Sequence, residues 1–286
     1  MATYAVKGTR LQDLTVPVKS VVSNIGGAAS GAGLSPAIWS DCPLLAVMSD
    51  PGMGYMVSDD FMDLGLSGTL TQIISNAGTG RYLVFGGAGS TIVPDAAAGG
   101  GITLTLTDAD QATSITTKQT PFQITSGAGD LWFEARVKTS TITTNEQAFF
   151  IGLMDTTAQS AVVPLTAAGA IADINCVGFH KPEANTSAFD ASYKANTVTA
   201  VEVNADIGAM VAATYFKVGM RFSTSNNQLS FYVNGVKQTS SKTIPNATGT
   251  DFPADVTLAP VFAILAATND TESMTMDWWK IVQLRS

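Results

Sequence analysis

The sequence predicts an all-β fold in which two antiparallel sheets pack face to face as a jelly-roll sandwich. From about residue 58 onward, short segments of alternating apolar and polar residues are separated by turn residues, and convincing long helices are absent. The dipeptide Asn234-Gly235 adds a strong hairpin signal, because Asn-Gly is favoured in two-residue turns between antiparallel strands. At 286 residues, the chain is long enough to bury a large core.

Residues 1–57 lack the pattern of an independent domain, because flexible small-residue stretches alternate with apolar ones without periodicity. We expect them to form an arm, mostly extended, that lies along the domain or on a partner chain. One short helix is predicted in "SDCPLLAVM", with Ser40 or Asp41 as its cap and Pro43 in its first turn. The candidate partner-binding residues are the larger apolar side chains of this arm: Trp39, Leu44, Leu45, Met48, Met53, Tyr55 and Met56.

Residues 58–286 are predicted to form the sandwich. A strand is expected at "YLVF", between turns, and another at "GITLTLTDAD", where Ile102, Leu104 and Leu106 alternate inward. "DLWFEARVKTS" and "QAFFIGLMD" follow, with a threonine-rich turn between them. The stretch 155–204 is irregular and predicts long loops with one strand at "INCVGFHK".

The C-terminal part has the clearest strand pattern. "TYFKVGMRFSTSNNQLSFYVNGVKQTS" predicts three strands, joined by turns at Asn226-Asn227 and Asn234-Gly235. "DVTLAPVFAILAAT" and "SMTMDWWKIVQLR" complete the predicted sandwich.

Glu134 raises the question of catalysis, because it is a lone carboxylate in an aromatic-rich strand. Alternation predicts a core face of Leu131, Phe133, Ala135 and Val137, and an opposite face of Trp132, Glu134, Arg136 and Lys138. A glycosidase needs two flanking carboxylates. The residues two and four positions after Glu134 are cations, and a cation beside Glu134 lowers its pKa, which is the wrong direction for a general acid.

A second carboxylate from another strand, such as Asp277, is not placed near Glu134 by anything in the sequence. We therefore expect Glu134 to be a structural residue of a polar sheet face and the chain not to be an enzyme.

The amino-acid composition narrows the kinds of partner that this protein can bind. Charged residues make up 13% of the chain, against about 25% in an average soluble domain. Such a surface fits a chain that buries part of itself against neighbours, including copies of itself. The net charge of −8 and the scattered lysines and arginines argue against nucleic acid. No run approaches the roughly 18 apolar residues of a membrane span, and the N-terminus has no apolar secretion signal.

No cofactor or metal site is predicted. Cys42 and Cys176 lie far apart, and the pattern favours two buried thiols over a disulfide. His180 is the single histidine, which excludes a multi-histidine metal site, and we expect it to be a solvated loop residue. Trp132 and Trp279, if they face outward, are candidates for stacking on a glycan, although the arm or a long loop would cover them equally well.

The order of "DDFMDL", "GGGITLTLTDADQATSITTKQTPFQITSGAGDLWFEARVK", "AFFIGLMD", "LSFYVNGVK" and "DWWKIVQL" resembles tailed-bacteriophage virion proteins with a concanavalin A-like sandwich. Those proteins are usually found decorating or stabilising the capsid. The resemblance covers roughly residues 58–286 and implies a non-enzymatic decoration protein on the capsid surface. Its partners would be the major capsid protein and further copies of itself, and it would be made in the host cytoplasm.

The same fold resembles laminarinase-type glucanases and legume-type lectins. The glucanases carry E-x-D-x-x-E on one strand, where this chain reads Glu134-Ala135-Arg136-Val137-Lys138-Thr139, so both further acids are missing. The lectins hold Ca²⁺ in a loop dense in Asp and Asn, and the nearest match, Asp108-Ala109-Asp110, is typical of a strand end. An alternative therefore stays open: a carbohydrate-binding module of a virion or tail fibre that contacts a host-surface glycan.

Overall fold

A computed structural model describes residues 31–286, apart from 63–67, 70–80, 88, 96–99, 120, 144, 156–162, 200, 244–250, 255 and 269. Residues 1–30 of the predicted arm therefore lie outside the described residues. Two short helices precede the sheets: α1 (Pro36–Trp39) and α2 (Leu44–Ser49). α2 confirms the predicted helix, but Pro43 occupies its N-cap position, so the predicted cap at Ser40 or Asp41 and the place of Pro43 in the first turn are wrong. Within the described part of the chain, no helix is long and apolar enough to cross a membrane.

Sixteen strands are present in the described residues: β1 (Gly54–Asp59), β2 (Gly68–Thr69), β3 (Tyr82–Gly86), β4 (Thr91–Pro94), β5 (Ile102–Leu106), β6 (Gln111–Thr117), β7 (Leu131–Thr139), β8 (Gln147–Met154), β9 (Cys176–Lys181), β10 (Ala188–Lys194), β11 (Val201–Ala209), β12 (Phe216–Ser223), β13 (Gln228–Val233), β14 (Val236–Thr243), β15 (Ala259–Ala266) and β16 (Glu272–Leu284). They form two antiparallel sheets, which confirms the predicted sandwich.

Sheet A has the strand order β14-β13-β12-β7-β16-β5-β4-β2, and sheet B has the order β11-β10-β9-β8-β15-β6-β3. β16 is long enough to pair first with β5 and then with β1, while β7 lies along its other side. β1 thus belongs to sheet A, so the predicted boundary after residue 57 falls inside a strand and is wrong. The part of the arm that lies outside the sheets ends at Met53.

The main core lies between the sheets. Alternation along β5 and β7 buries Ile102, Leu104, Leu106 and the predicted inner face of β7 completely. The predicted turns are confirmed: Asn227, Asn234 and Gly235 adopt positive φ values of 52°, 49° and 73°, as tight hairpins require.

Two smaller clusters cover the outer faces. On sheet B, Phe150, Cys176, Val261 and Leu265 pack with Ile171, which precedes β9. On sheet A, Trp132, Tyr232 and Val282 pack under residues that precede β1.

The stretch 155–204 is more regular than predicted. β9 confirms the strand at "INCVGFHK", but β10 and the start of β11 also lie within this stretch. The pairing of β10 with β11 shifts register beside Ala191, so the alternation that identifies a strand in the sequence is broken there.

Candidate functional site

The segment of residues 31–53, here called the cover segment, lies across the outer face of sheet A. Pro36 occupies the first turn of α1, where its missing N–H costs no hydrogen bond. A turn at Asp50, Pro51 and Gly52 follows α2 and leads into β1, and the Asp50 carboxylate accepts a hydrogen bond from the Gly52 N–H at 2.8 Å. The arm is therefore not mostly extended over these residues, since it contains two helices.

Glu134 lies at the centre of the covered face and has no exposed surface. Its Oε2 atom accepts hydrogen bonds from the Ser35 backbone N–H at 3.0 Å and from the Trp39 indole N–H at 2.7 Å. The neighbouring position on β12 is Gly219, and a Cβ atom there would lie 2.4 Å from Cδ1 of Ile38. A side chain at this position would force Ile38 to move, so the glycine lets α1 lie close to β12.

Lys217 provides the positive charge nearest to Glu134. Its Nζ atom donates to the Gly33 carbonyl at 2.9 Å and lies 3.9 Å from Oε1 of Glu134. Burial raises the pKa of Glu134, against the hydrogen bonds from the cover segment and the Lys217 charge. Burial likewise lowers the pKa of Lys217, opposed by the Glu134 charge. The cover segment thus closes over a buried ion pair.

Asp41 binds a second set of residues at the far end of the covered face. Its carboxylate accepts hydrogen bonds from Trp132 Nε1 at 2.8 Å and from Arg221 Nη2 at 2.9 Å. Arg221 also donates to Asp130 at 2.6 Å, and its guanidinium lies 4.0 Å from the centre of the Trp132 ring. Burial alone would raise the pKa of Asp130, but hydrogen bonds from Thr224 and the Arg221 charge outweigh burial, so this pKa is lowered.

The geometry around Glu134 differs from that of a carboxylate pair. Asp277, considered above as a second acid, forms an ion pair with Arg136 instead. Arg136 is thus paired with Asp277, and the cation beside Glu134 is Lys217 from β12 instead. The shift of the Glu134 pKa is also upward rather than downward, because burial outweighs the nearby cation.

Trp132 and Trp279 are each only 1% exposed, so neither offers a ring face to a glycan, and this prediction is wrong. Trp132 is buried because the cover segment lies on it. Trp279 faces the core because the register of β16 against β7 shifts between Met276 and Trp278. That bulge reverses the alternation, so Trp278 is the partly exposed member of the pair.

The candidate partner-binding residues divide into three groups. Trp39 and Leu44 are buried against the chain's own sheet, so as folded they cannot contact a partner. Tyr55 and Met56 lie in β1 and are half-buried. The exposed ones are listed here with their exposed fractions: Leu45 47%, Met48 60% and Met53 44%. Only this last group presents apolar surface, and we call it the exposed apolar row.

Around Arg136, Lys138 and Trp278, the described residues leave the outer face of sheet A only partly covered, and we call this part the open half. Arg136 and Lys138 lie 3.9 and 4.7 Å from the Tyr215 ring centre, and the Tyr215 hydroxyl donates to Asp95 at 3.3 Å. Trp278 donates its indole N–H to the Ala32 carbonyl at 2.7 Å. Sequence reasoning missed Tyr215 because this residue lies one position before β12 and outside the strand pattern. The signal for Trp278 is its neighbour Trp279, because adjacent residues of a strand face opposite sides of the sheet.

The single histidine and the two cysteines are all buried. His180 lies in β9, is 7% exposed and bonds the Gly169 carbonyl at 2.7 Å, so its prediction as a solvated loop residue is wrong. Cys42 and Cys176 are free and buried, as predicted, and burial raises each thiol pKa to about 12. The described residues contain no group of three or more His, Cys, Asp or Glu that could hold a metal ion.

No protein-family model matches the chain, and no curated protein matches it. Solved structures do match. A protein of unknown function from Shewanella oneidensis MR-1 is 15% identical, with 82% of this chain and 88% of that chain covered and a TM-score of 0.53.

SCLam, a non-specific endo-β-1,3(4)-glucanase of family GH16, is 9% identical over 82% of this chain and 93% of its own, also with a TM-score of 0.53. Peanut lectin with a nine-residue peptide is 13% identical over 81% and 99%, with a TM-score of 0.46. At 9% identity, the likeness to SCLam shows the fold alone. It confirms the concanavalin A-like jelly-roll sandwich.

Proposed function

We propose that this chain is a non-enzymatic structural protein of a bacteriophage virion that binds the outer capsid surface and stabilises contacts between shell subunits. The observation that supports this most is the cover segment: it covers the part of the outer face of sheet A around Glu134 and turns Leu45, Met48 and Met53 toward solvent. The protein thereby replaces an accessible sheet face with an apolar contact surface. The sequence resemblance to capsid decoration proteins supports the same function.

The exposed apolar row suits a contact with a shell subunit. Methionine side chains are flexible and polarisable, so they adapt to a neighbouring surface of irregular shape. Burying apolar surface contributes about 25 cal/mol per Å², and many copies on a symmetric shell make a modest gain per copy sufficient. The proposed mechanism is therefore thermodynamic: binding across neighbouring subunits raises the free energy needed to separate them.

A titration of the purified protein onto capsids stripped of it tests this function. The number of copies bound per shell is measured against protein concentration. We expect a plateau at a fixed ratio to the shell subunit, together with a higher temperature of capsid disruption. Absence of saturable binding by folded protein would contradict the proposal.

A second candidate function is glycan binding at the open half, and the half-buried aromatic residues Tyr215 and Trp278 favour it. They lie beside the ion pair of Arg136 and Asp277, so donors, acceptors and aromatic surface are combined. This candidate predicts glycan binding that Trp278→Ala and Tyr215→Ala abolish. Because Trp132 is buried, Trp132→Phe is the matched control and should leave glycan binding unchanged.

A further inference from the structure

The covered face of sheet A binds a peptide segment through side chains, and the structure gives its recognition pattern. The cover segment forms no strand pairing with sheet A in the described residues. It is held at four places: Trp278 binds the Ala32 carbonyl, Lys217 binds the Gly33 carbonyl, Glu134 binds Ser35 and Trp39, and both Trp132 and Arg221 bind Asp41. The face is therefore a binding site for the sequence "GLSPAIWSD", which this chain itself supplies.

This site has to be filled. If the cover segment lifts, Trp132, Tyr232 and Val282 lose their apolar cover and Glu134 loses both hydrogen-bond donors. An uncovered buried carboxylate and apolar surface both cost free energy. The same contacts re-form, however, if the segment of a second copy docks in place of the first.

The connection between the cover segment and β1 has the features of a hinge. Asp50, Pro51 and Gly52 are exposed, and these residues with Met53 span at most roughly 14 Å when extended. Proline restricts the backbone of this short turn, and exchange of an identical terminal element across a hinge loop is a low-cost route to a dimer.

The exposed apolar row lies at this hinge. In a two-fold exchange, the two hinge segments pass each other close to the symmetry axis. Met53 of one copy would then meet Met53 of the other and lose its exposure to water, while Leu45 and Met48 of α2 stay available to the shell. Exchange thus buries surface that a single copy leaves exposed.

We propose that two copies of this chain exchange their cover segments, so that each copy's Asp41 pairs with the other's Arg221 and each copy's Trp39 with the other's Glu134. The proposed partner is a second copy. The exchange needs no shell, so a monomeric protein that still loads onto capsids would contradict this proposal while leaving the proposed function standing.

Charge reversal provides the test. Asp41→Arg places two cations together and Arg221→Asp places Asp41, Asp130 and the new carboxylate together, so neither variant can close its own site well. In a reciprocal exchange between the two variants, both sites regain an opposite-charge pair. We expect the mixture, refolded together, to convert at least half of the protein to a 1:1 heterodimer on native mass spectrometry.

The matched control uses an ion pair within the sandwich. Arg136→Asp and Asp277→Arg reverse a pair whose two members both belong to sheet A, so mixing them should produce no heterodimer. A mixture of the first two variants that remains the sum of its components would overturn the proposal.

A second measurement covers the case in which either variant fails to fold. Isotope-labelled and unlabelled wild-type protein are mixed, warmed below the unfolding transition and cooled. Dimers of mixed mass support the exchange, whereas wild-type protein that stays monomeric at every concentration overturns it.

Discussion

The indole N–H of Trp39 donates a 2.7 Å hydrogen bond to Oε2 of Glu134, across 95 residues of sequence. Both side chains are fully buried. This contact fixes the cover segment to the centre of sheet A, and it explains why a carboxylate in an aromatic strand has no access to a substrate in this conformation.

Trp39→Phe keeps an aromatic ring and removes the donor, so the Glu134 carboxylate loses one of two hydrogen bonds. We expect the free energy of unfolding to fall by about 1–3 kcal/mol, measured by urea denaturation. Trp278→Phe removes a similar indole donor at a partly exposed site and is the matched control, with an expected loss below about 1 kcal/mol. Equal losses in both variants would contradict the claim that the buried hydrogen bond of Trp39 to Glu134 stabilises the fold more than the partly exposed one of Trp278.

Lys217→Met leaves Glu134 buried without its nearest cation, and we expect a destabilisation of about 3–5 kcal/mol. Glu134→Gln added to Lys217→Met removes the uncompensated charge as well. The double variant should therefore be more stable than the sum of the two single effects predicts, which a double-mutant cycle of urea unfolding measures. Strict additivity would mean that the two charges do not interact across 3.9 Å.

Lys181 makes the folding stability depend on pH in a defined direction. It is fully buried on β9, donates to the Gln147 carbonyl at 2.6 Å, and burial lowers its pKa from 10.5 to about 8. Between these values the unfolded chain holds a proton that the folded chain has released, so this group makes stability rise with pH.

The comparison that isolates this effect is wild type against Lys181→Met, by urea unfolding at pH 7.5 and pH 9.5. The free energy of unfolding of wild type, measured relative to that of the variant, should be larger at pH 9.5 than at pH 7.5. A difference between the two proteins that does not change with pH would contradict the lowered pKa of Lys181.

Cys42 reports on the cover segment, because it lies between α1 and α2 and is buried in the same cluster as Trp39. A thiol reagent should modify it only when the segment lifts. Trp39→Phe should raise the rate at Cys42 about tenfold for each 1.4 kcal/mol lost. Cys176, buried under the outer face of sheet B, is the internal control and should react at an unchanged rate. Parallel acceleration of both thiols would indicate global unfolding instead.

The sequence predicts strands and turns well, because these follow local rules. Alternation places the inner face of β7 correctly, and Asn234-Gly235 marks its hairpin. The same alternation fails at Trp279, because a bulge beside Asp277 reverses the faces of β16 and no local signal marks that bulge. One extra residue in a strand is enough to exchange which tryptophan is buried.

The contacts of the outer faces are the part that sequence reasoning cannot reach. Ser35 and Trp39 meet Glu134 from 99 and 95 residues away, and no spacing rule connects them. His180 is a similar case, since its partner lies in the loop at Gly169 and a strand that the sequence did not reveal runs beside it. Once a sheet face is covered, a residue predicted to be polar and outward becomes a buried one.

The most direct measurement of the proposed function is capsid loading by the double variant Leu45→Glu/Met48→Glu, set against Val211→Glu, which alters an equally exposed apolar residue outside the cover segment. Copies bound per stripped shell are counted at saturation for wild type and both variants, all shown to be folded. We predict that Val211→Glu loads like wild type, while the double variant binds at least tenfold more weakly. Normal loading of the double variant would contradict the proposal that the exposed apolar row of the cover segment contacts the shell.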